Sequence, residues 1–229
     1  MAEHDLVRVA ARNNAEWCDA FCRTHGIAGR FDDDAWWSAV RTPPFYPDAV
    51  TLMPGADAGR ILARVDGGPG CSIKDSFSDL DLSGEGFDVL FRAEWLCLEH
   101  ARRALPRSSV IDSAEKLPDW ESAWGEPPEP RGFFRPPLLR EESIAILAGY
   151  NGDRVVAGAV ANRSDAAIGL SNVFAAAGDL GSAYVGAASV AQARWGALPV
   201  FGYEFGEPLD AARRAGFTSV GELTVWAAA

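Results

Sequence analysis

Apolar positions in this chain recur with two periods, about every third or fourth residue and every second, and the changes between them mark out its elements. Residues 13–25 (NNAEWCDAFCRTH) place Trp17, Phe21 and the Cys18/Cys22 pair on one helical face, with Asn13 or Asn14 as N-cap and Gly26 as the stop. Asp32, Asp33 and Asp34 precede Ala35-Trp36-Trp37, a run of acids suited to the positive start of a second, short helix. The connector Pro43-Pro44-Phe45-Tyr46-Pro47 cannot continue it. Strand-like stretches follow at 49–53, 61–65, 71–82 and 87–98, separated by turns such as Asp66-Gly67-Gly68-Pro69-Gly70.

The second half repeats this plan. Residues 118–124 (PDWESAW) echo 15–21 (AEWCDAF): an acid and a tryptophan, then alanine and an aromatic ring. A proline-rich connector (127–137) comes next, then strands at 144–150, 154–162 and 167–174, with Tyr150-Asn151-Gly152-Asp153 as a hairpin turn. Order and spacing predict two related halves, 1–105 and 106–229. Near the C-terminus, a strand at 167–173 runs into the small turn Gly178-Asp179-Leu180-Gly181-Ser182-Ala183. A helix at 184–195, a strand at 198–203, a short helix at 209–215, Gly216-Phe217 and a strand at 220–226 close the chain. A glycine-rich turn between strand and helix is an anion cradle, because free backbone N–H groups and the positive helix end point into it.

That order, ending in Ala215-Gly216-Phe217 and a strand, resembles the GCN5-related N-acetyltransferase (GNAT) family over roughly residues 110–229. The family's pyrophosphate loop runs Arg or Gln, two residues, Gly, one residue, then Gly or Ala. Gly181 and Ala183 fill the small positions, Gly178 stands at the Arg/Gln position, and Asp179 adds a carboxylate where a diphosphate would lie. The family's Asn and Tyr positions hold Phe205 or Gly206, and Ala212. The resemblance implies an α/β fold with a mixed, mostly antiparallel twisted sheet flanked by helices. It implies acetyl-CoA or another acyl-CoA as co-substrate of the C-terminal half, held by Val173, Phe174, Gly178, Gly181, Ser182 and Ala183, with the first half degenerate. The implied activity is N-acyl transfer to a small amine. In the family a backbone N–H beside a strand bulge holds the thioester carbonyl, by position at Val173 or Phe174. Asn172, unusual in a central strand, makes a local hydrogen bond or faces a polar cleft. With Ala212 in place of the family's tyrosine, Tyr203 is the nearest aromatic hydroxyl for the acid role and Glu204 a base, directly or through water. The plainer reading of Tyr203 is a packed ring with its hydroxyl at the rim.

Composition narrows the partners. The chain has 229 residues, is 48% hydrophobic and carries a formal charge of −11, which supports a sizeable core and argues against nucleic acid. No apolar run of about eighteen residues occurs and the N-terminus is acidic, so a soluble, cytoplasmic protein is expected, without membrane contact. Cys18, Cys22, Cys71 and Cys97 read as reduced, mostly buried thiols, and no metal site is expected. Trp36, Trp37, Phe45, Tyr46, Trp120, Trp124, Phe133 and Phe134 cluster at the proline-rich connectors and read as packing between the two halves, or as walls of an acceptor pocket. Two rival functions stay open: a non-catalytic GNAT-like binder, and a transferase using an acyl donor other than CoA. A homodimer is also open.

Overall fold

A computed structural model describes residues 3–101, 108–125 and 132–229. The first half runs α1 (Glu3–Thr24), β1 (Arg30–Phe31), β2 (Ala35–Trp37), β3 (Ala49–Thr51), α2 (Ala58–Leu62), β4 (Ser72–Asp75) and β5 (Phe87–Leu98). The second runs β6 (Ser108–Val110), α3 (Leu117–Trp124), β7 (Ile144–Asn151), β8 (Arg154–Arg163) and β9 (Ile168–Ala175), then α4 (Leu180–Trp195), β10 (Val200–Glu204), α5 (Gly206–Arg214) and β11 (Thr218–Ala228). The fold is α/β, with mixed, mostly antiparallel strand pairing flanked by helices. One compact unit comprises Met1–Trp95 with Val220–Ala229, the other Leu96–Ser219. The boundary expected between 105 and 106 lies outside the described residues.

In the first unit the strand order is β1-β2-β3-β4-β11-β5, so the end of the chain supplies an inner strand. β3 and β4 are parallel, with Ala49 opposite Ile73, and Trp226 of β11 lies antiparallel to Ile73. Ile61, Ile73, Leu82, Phe87 and Trp226 form one core cluster. α1 reaches back well before the expected start at residue 13, because Val7, Ala10 and Ala11 continue its buried face. Asn13 is therefore a buried mid-helix residue and not a cap. Phe21 stacks on Tyr46 at 3.8 Å, and Asp19 accepts from Trp36 Nε1 at 3.0 Å.

Two short elements differ from expectation. The three aspartates start no helix. Asp32 accepts from the N–H groups of Asp34 and Ala35, turning the chain into β2, which pairs with β3. Asp32 and Asp34 also pair with Arg64 and Arg60. Residues 61–65 are not a strand. Asp57 caps α2 by accepting from Arg60 N–H at 2.9 Å, and the helix packs Ile61 into the core. Of 71–82, only Ser72–Asp75 pairs, because the Asp75 carboxylate accepts from Phe77 and Leu80 N–H and bends the chain away.

In the second unit the order is β5-β10-β9-β8-β7-β6, with β9 and β10 parallel and β6 to β9 antiparallel. α4 and α5 pack on one face over Leu147, Ala161, Ile168, Leu170 and Val200. The other face carries the α3 ring cluster. Trp120 meets Phe134 and Phe174 edge-on and donates to Leu147 C=O at 2.8 Å, and Trp124 stacks on Phe133. Gly158 leaves room for these rings, since a Cβ there would come within 2.5 Å of both Trp120 and Phe174. Of these rings, Tyr46 stacks on Phe21 within the first unit, and Trp120, Trp124, Phe133 and Phe134 pack on one another within the second. Residues 127–131 of the proline-rich connector lie outside the described residues. All four cysteines are free and buried. Among the described residues no helix is long and apolar enough to cross a membrane.

Candidate functional site in the second unit

The site begins with a defect in β9. Gly158 of β8 faces Phe174 and Val160 faces Ser171, so Asn172 and Val173 together oppose the single Ala159. This is a β-bulge, which leaves one residue out of the ladder and turns the strand. Asn172 takes the strain with φ 52°, in the left-handed region that asparagine tolerates better than most residues. The bulge, beside which the Val173 or Phe174 N–H is expected to hold a thioester carbonyl, is centred on Asn172 and Val173. One residue earlier, the Ser171 hydroxyl is buried and has no hydrogen-bond partner among the described residues.

On its other side β9 separates from β10. Their parallel register covers only Ile168↔Val200 and Gly169↔Phe201, after which the strands continue to Ala175 and Glu204. Just before the gap they are pressed together, since a Cβ on Gly202 would lie 3.1 Å from the Leu170 carbonyl oxygen. The open end beyond holds a pair that no sequence spacing announces. Tyr184, 3% exposed and one turn into α4, donates its hydroxyl hydrogen to Glu204 Oε1. Burial pushes the Glu204 carboxyl up to about 7, against the lowering effect of that bond. Burial, and then the Glu204 charge, push the Tyr184 hydroxyl far up, so it stays a proton donor. Strand alternation turns Val200, Gly202 and Glu204 toward α4, and Phe201 and Tyr203 to the opposite face. Tyr203 and Glu204, paired in the sequence reading, are thus on opposite sides of β10.

The loop before α4 is a cradle already filled. Asp179 is the N-cap, and its carboxylate accepts from Ser182 N–H at 2.7 Å and Ser182 Oγ–H at 3.0 Å. Those hydrogen bonds hold the Asp179 carboxyl below its ordinary range. Ala183 N–H is taken by the Asp179 carbonyl. Gly178 has φ 99°, a conformation an arginine or glutamine would adopt only under strain. Gly181 is buried, and a Cβ there would lie 3.1 Å from Asp179 Oδ2 and 3.4 Å from the Ala211 carbonyl. Its smallness serves the packing of α4 on α5 as well as any approach to phosphate. Ala212, at the family's tyrosine position, is fully buried among the same helices. The residues present therefore suit the acyl-thioester end of an acyl-CoA, through bulge, gap and half-buried acid, but not its diphosphate.

On the α3 face a cavity of about 440 Å³ is lined by Asp119, Ser122, Ala123, Asp153, Arg154, Val155 and Ala176, large enough for a small molecule. Among the described residues no group of three or more His, Cys, Asp or Glu side chains gathers as a metal would need.

No family model matches the chain, and no curated protein matches it. Solved structures do. A GCN5-related N-acetyltransferase from Kribbella flavida is 15% identical, with 96% of this chain and 95% of that chain covered and a TM-score of 0.62. One from Sphaerobacter thermophilus is 12% identical, with coverage of 96% and 92% and a TM-score of 0.53. The chain has the GCN5-related N-acetyltransferase fold.

Proposed function

We propose that the protein transfers an acyl group from a thioester to the nitrogen of a small amine, with acetyl-CoA or another acyl-CoA as the donor the fold suggests. The observation that carries this reading is the half-buried Glu204 carboxyl, held by Tyr184 at the open end of β9 and β10 beside the Asn172 bulge. A backbone N–H of Val173 or Phe174, released at the bulge, holds the thioester carbonyl as charge develops on it. The amine nitrogen forms its C–N bond as the C–S bond breaks. Glu204 takes the proton the nitrogen loses, and the sulfur leaves with a proton from Glu204 or from Tyr203. A carboxyl titrating near neutrality suits such exchange. Four free thiols and the donor chemistry agree with a cytoplasmic setting.

The test is thiol release from acetyl-CoA against a panel of small amines, with wild type and Glu204→Gln compared. Glu204→Gln should lower turnover roughly a hundredfold. A wild type that binds acetyl-CoA and acylates nothing would move the protein to a second reading, a binder without turnover. Asp179 in the cradle and Ala212 in the core favour that second reading.

We also propose that the two halves of the sequence are related. Each contains a parallel strand-helix-strand unit, β3-α2-β4 and β9-α4-β10. In each the helix is capped by an aspartate, Asp57 or Asp179, and the second strand ends in an acid raised by burial, Asp75 or Glu204.

A further inference from the structure

We propose that the cleft recognises its acyl donor through the thioester and pantetheine arm alone, so that pantetheine thioesters serve it as well as the full coenzyme A thioesters do. The inference rests on the acyltransferase reading above and names its donor class. A diphosphate reaching the start of α4 meets no free cradle. The Ser182 N–H and hydroxyl are both taken by Asp179, at 2.7 and 3.0 Å. To use them, the diphosphate must expel a carboxylate tethered to the same turn, which then remains as a like charge within a few ångströms. No side chain compensates from the loop itself, because Gly178 has φ 99° and carries none. Arg214 of α5 reaches Asp179 with its field, and that charge is already balanced by the carboxylate. The features that receive the other end of the donor are intact: the Asn172 bulge, the gap between β9 and β10, and Glu204. Recognition has therefore moved from the nucleotide to the arm.

The test is calorimetric titration of the full chain with CoA and with pantetheine, in wild type and Asp179→Asn. Asparagine caps helices about as well as aspartate, so the variant should keep its fold and melting midpoint. In wild type the two dissociation constants should agree within about threefold, far less than one charge-assisted contact contributes. Asp179→Asn should tighten CoA roughly tenfold and leave pantetheine unchanged, since only the diphosphate feels the lost charge. Wild-type selection of CoA over pantetheine by about thirtyfold or more overturns the inference and leaves the transferase reading standing. A CoA to pantetheine ratio that Asp179→Asn does not move also overturns it. Binding of neither ligand overturns both readings together.

Discussion

Glu204 titrates where an exposed glutamate would already be ionised, and that displacement has consequences for both turnover and stability. Its carboxyl is raised to about 7 in the fold, so between the ordinary glutamate range and about 7 the folded protein holds a proton the unfolded chain has lost. The resulting stability is complete below the ordinary range and disappears as pH rises through about 7. Melting midpoints measured across that window should fall for wild type and stay flatter for Glu204→Gln. Parallel curves would show that burial does not act on this carboxyl as described. Tyr184→Phe removes the bond that lowers the Glu204 carboxyl, so the low-pH midpoint of the kcat profile, where Glu204 gives up its proton, should rise by about half to one pH unit. A lost contact that was only structural would change stability without moving that midpoint. Tyr203→Phe then separates the two routes for the sulfur's proton. A loss of roughly a hundredfold assigns it to Tyr203, while near-wild-type thiol release assigns it to Glu204. Of these residues, the sequence offers Glu204 and Tyr203 as candidates. The sequence shows Tyr184 only as the start of a helix, because its partner is on a different element and no spacing links them. The available signal was a tyrosine one turn into the helix of a strand-helix-strand unit whose second strand ends in an acid.

At the level of elements, what lies between β9 and α4 determines what the site can hold. The bulge depends on a residue that tolerates φ 52°. Asn172→Gly should preserve it, whereas Asn172→Val should cost about 1–2 kcal/mol and pull β9 back into register with β8. Denaturant midpoints would measure the cost, and thiol release would show whether activity follows the bulge. Equal stability of the valine and glycine variants would mean the ladder tolerates slippage there. Long elements were readable because their periodicity is long: 87–98 is β5 to the residue, and 144–150 falls short of β7 by one. Short ones were not. Three residues such as Ala35-Trp36-Trp37 contain no measurable period, so the acids beside them suggested a helix where Asp32 builds a turn. The residues of the α4 loop were also identified, but not that Asp179 would cap the helix with its own carboxylate. An aspartate three residues before Ser182 is a cap signal, and it competed with the reading of the turn as a phosphate site.

On the scale of the molecule, sequence order and spatial grouping part company at the C-terminus. The closing residues Val220–Ala229 group with Met1–Trp95 in one compact unit. Periodicity reports that a strand exists; it does not report which neighbour the strand chooses. Leu223, Thr224, Val225 and Trp226 are buried there, and a Cβ on Gly221 would come within 2.6 Å of Val7 on α1. Ending the chain at Ser219 should therefore unfold the first unit before the second. Hydrogen exchange should show lost protection in α1 and β4 with protection kept in β7 and β8. Protection kept in both regions would contradict the assignment of this strand to the first unit.

The same strand sets a schedule for biosynthesis. A ribosome releases the first unit's helices and strands early, and they wait with the edges of β4 and β5 uncovered while the whole second unit is made. The first unit to leave the exit tunnel is the last to close. In that interval its edges are open to neighbouring nascent chains and to holdase chaperones.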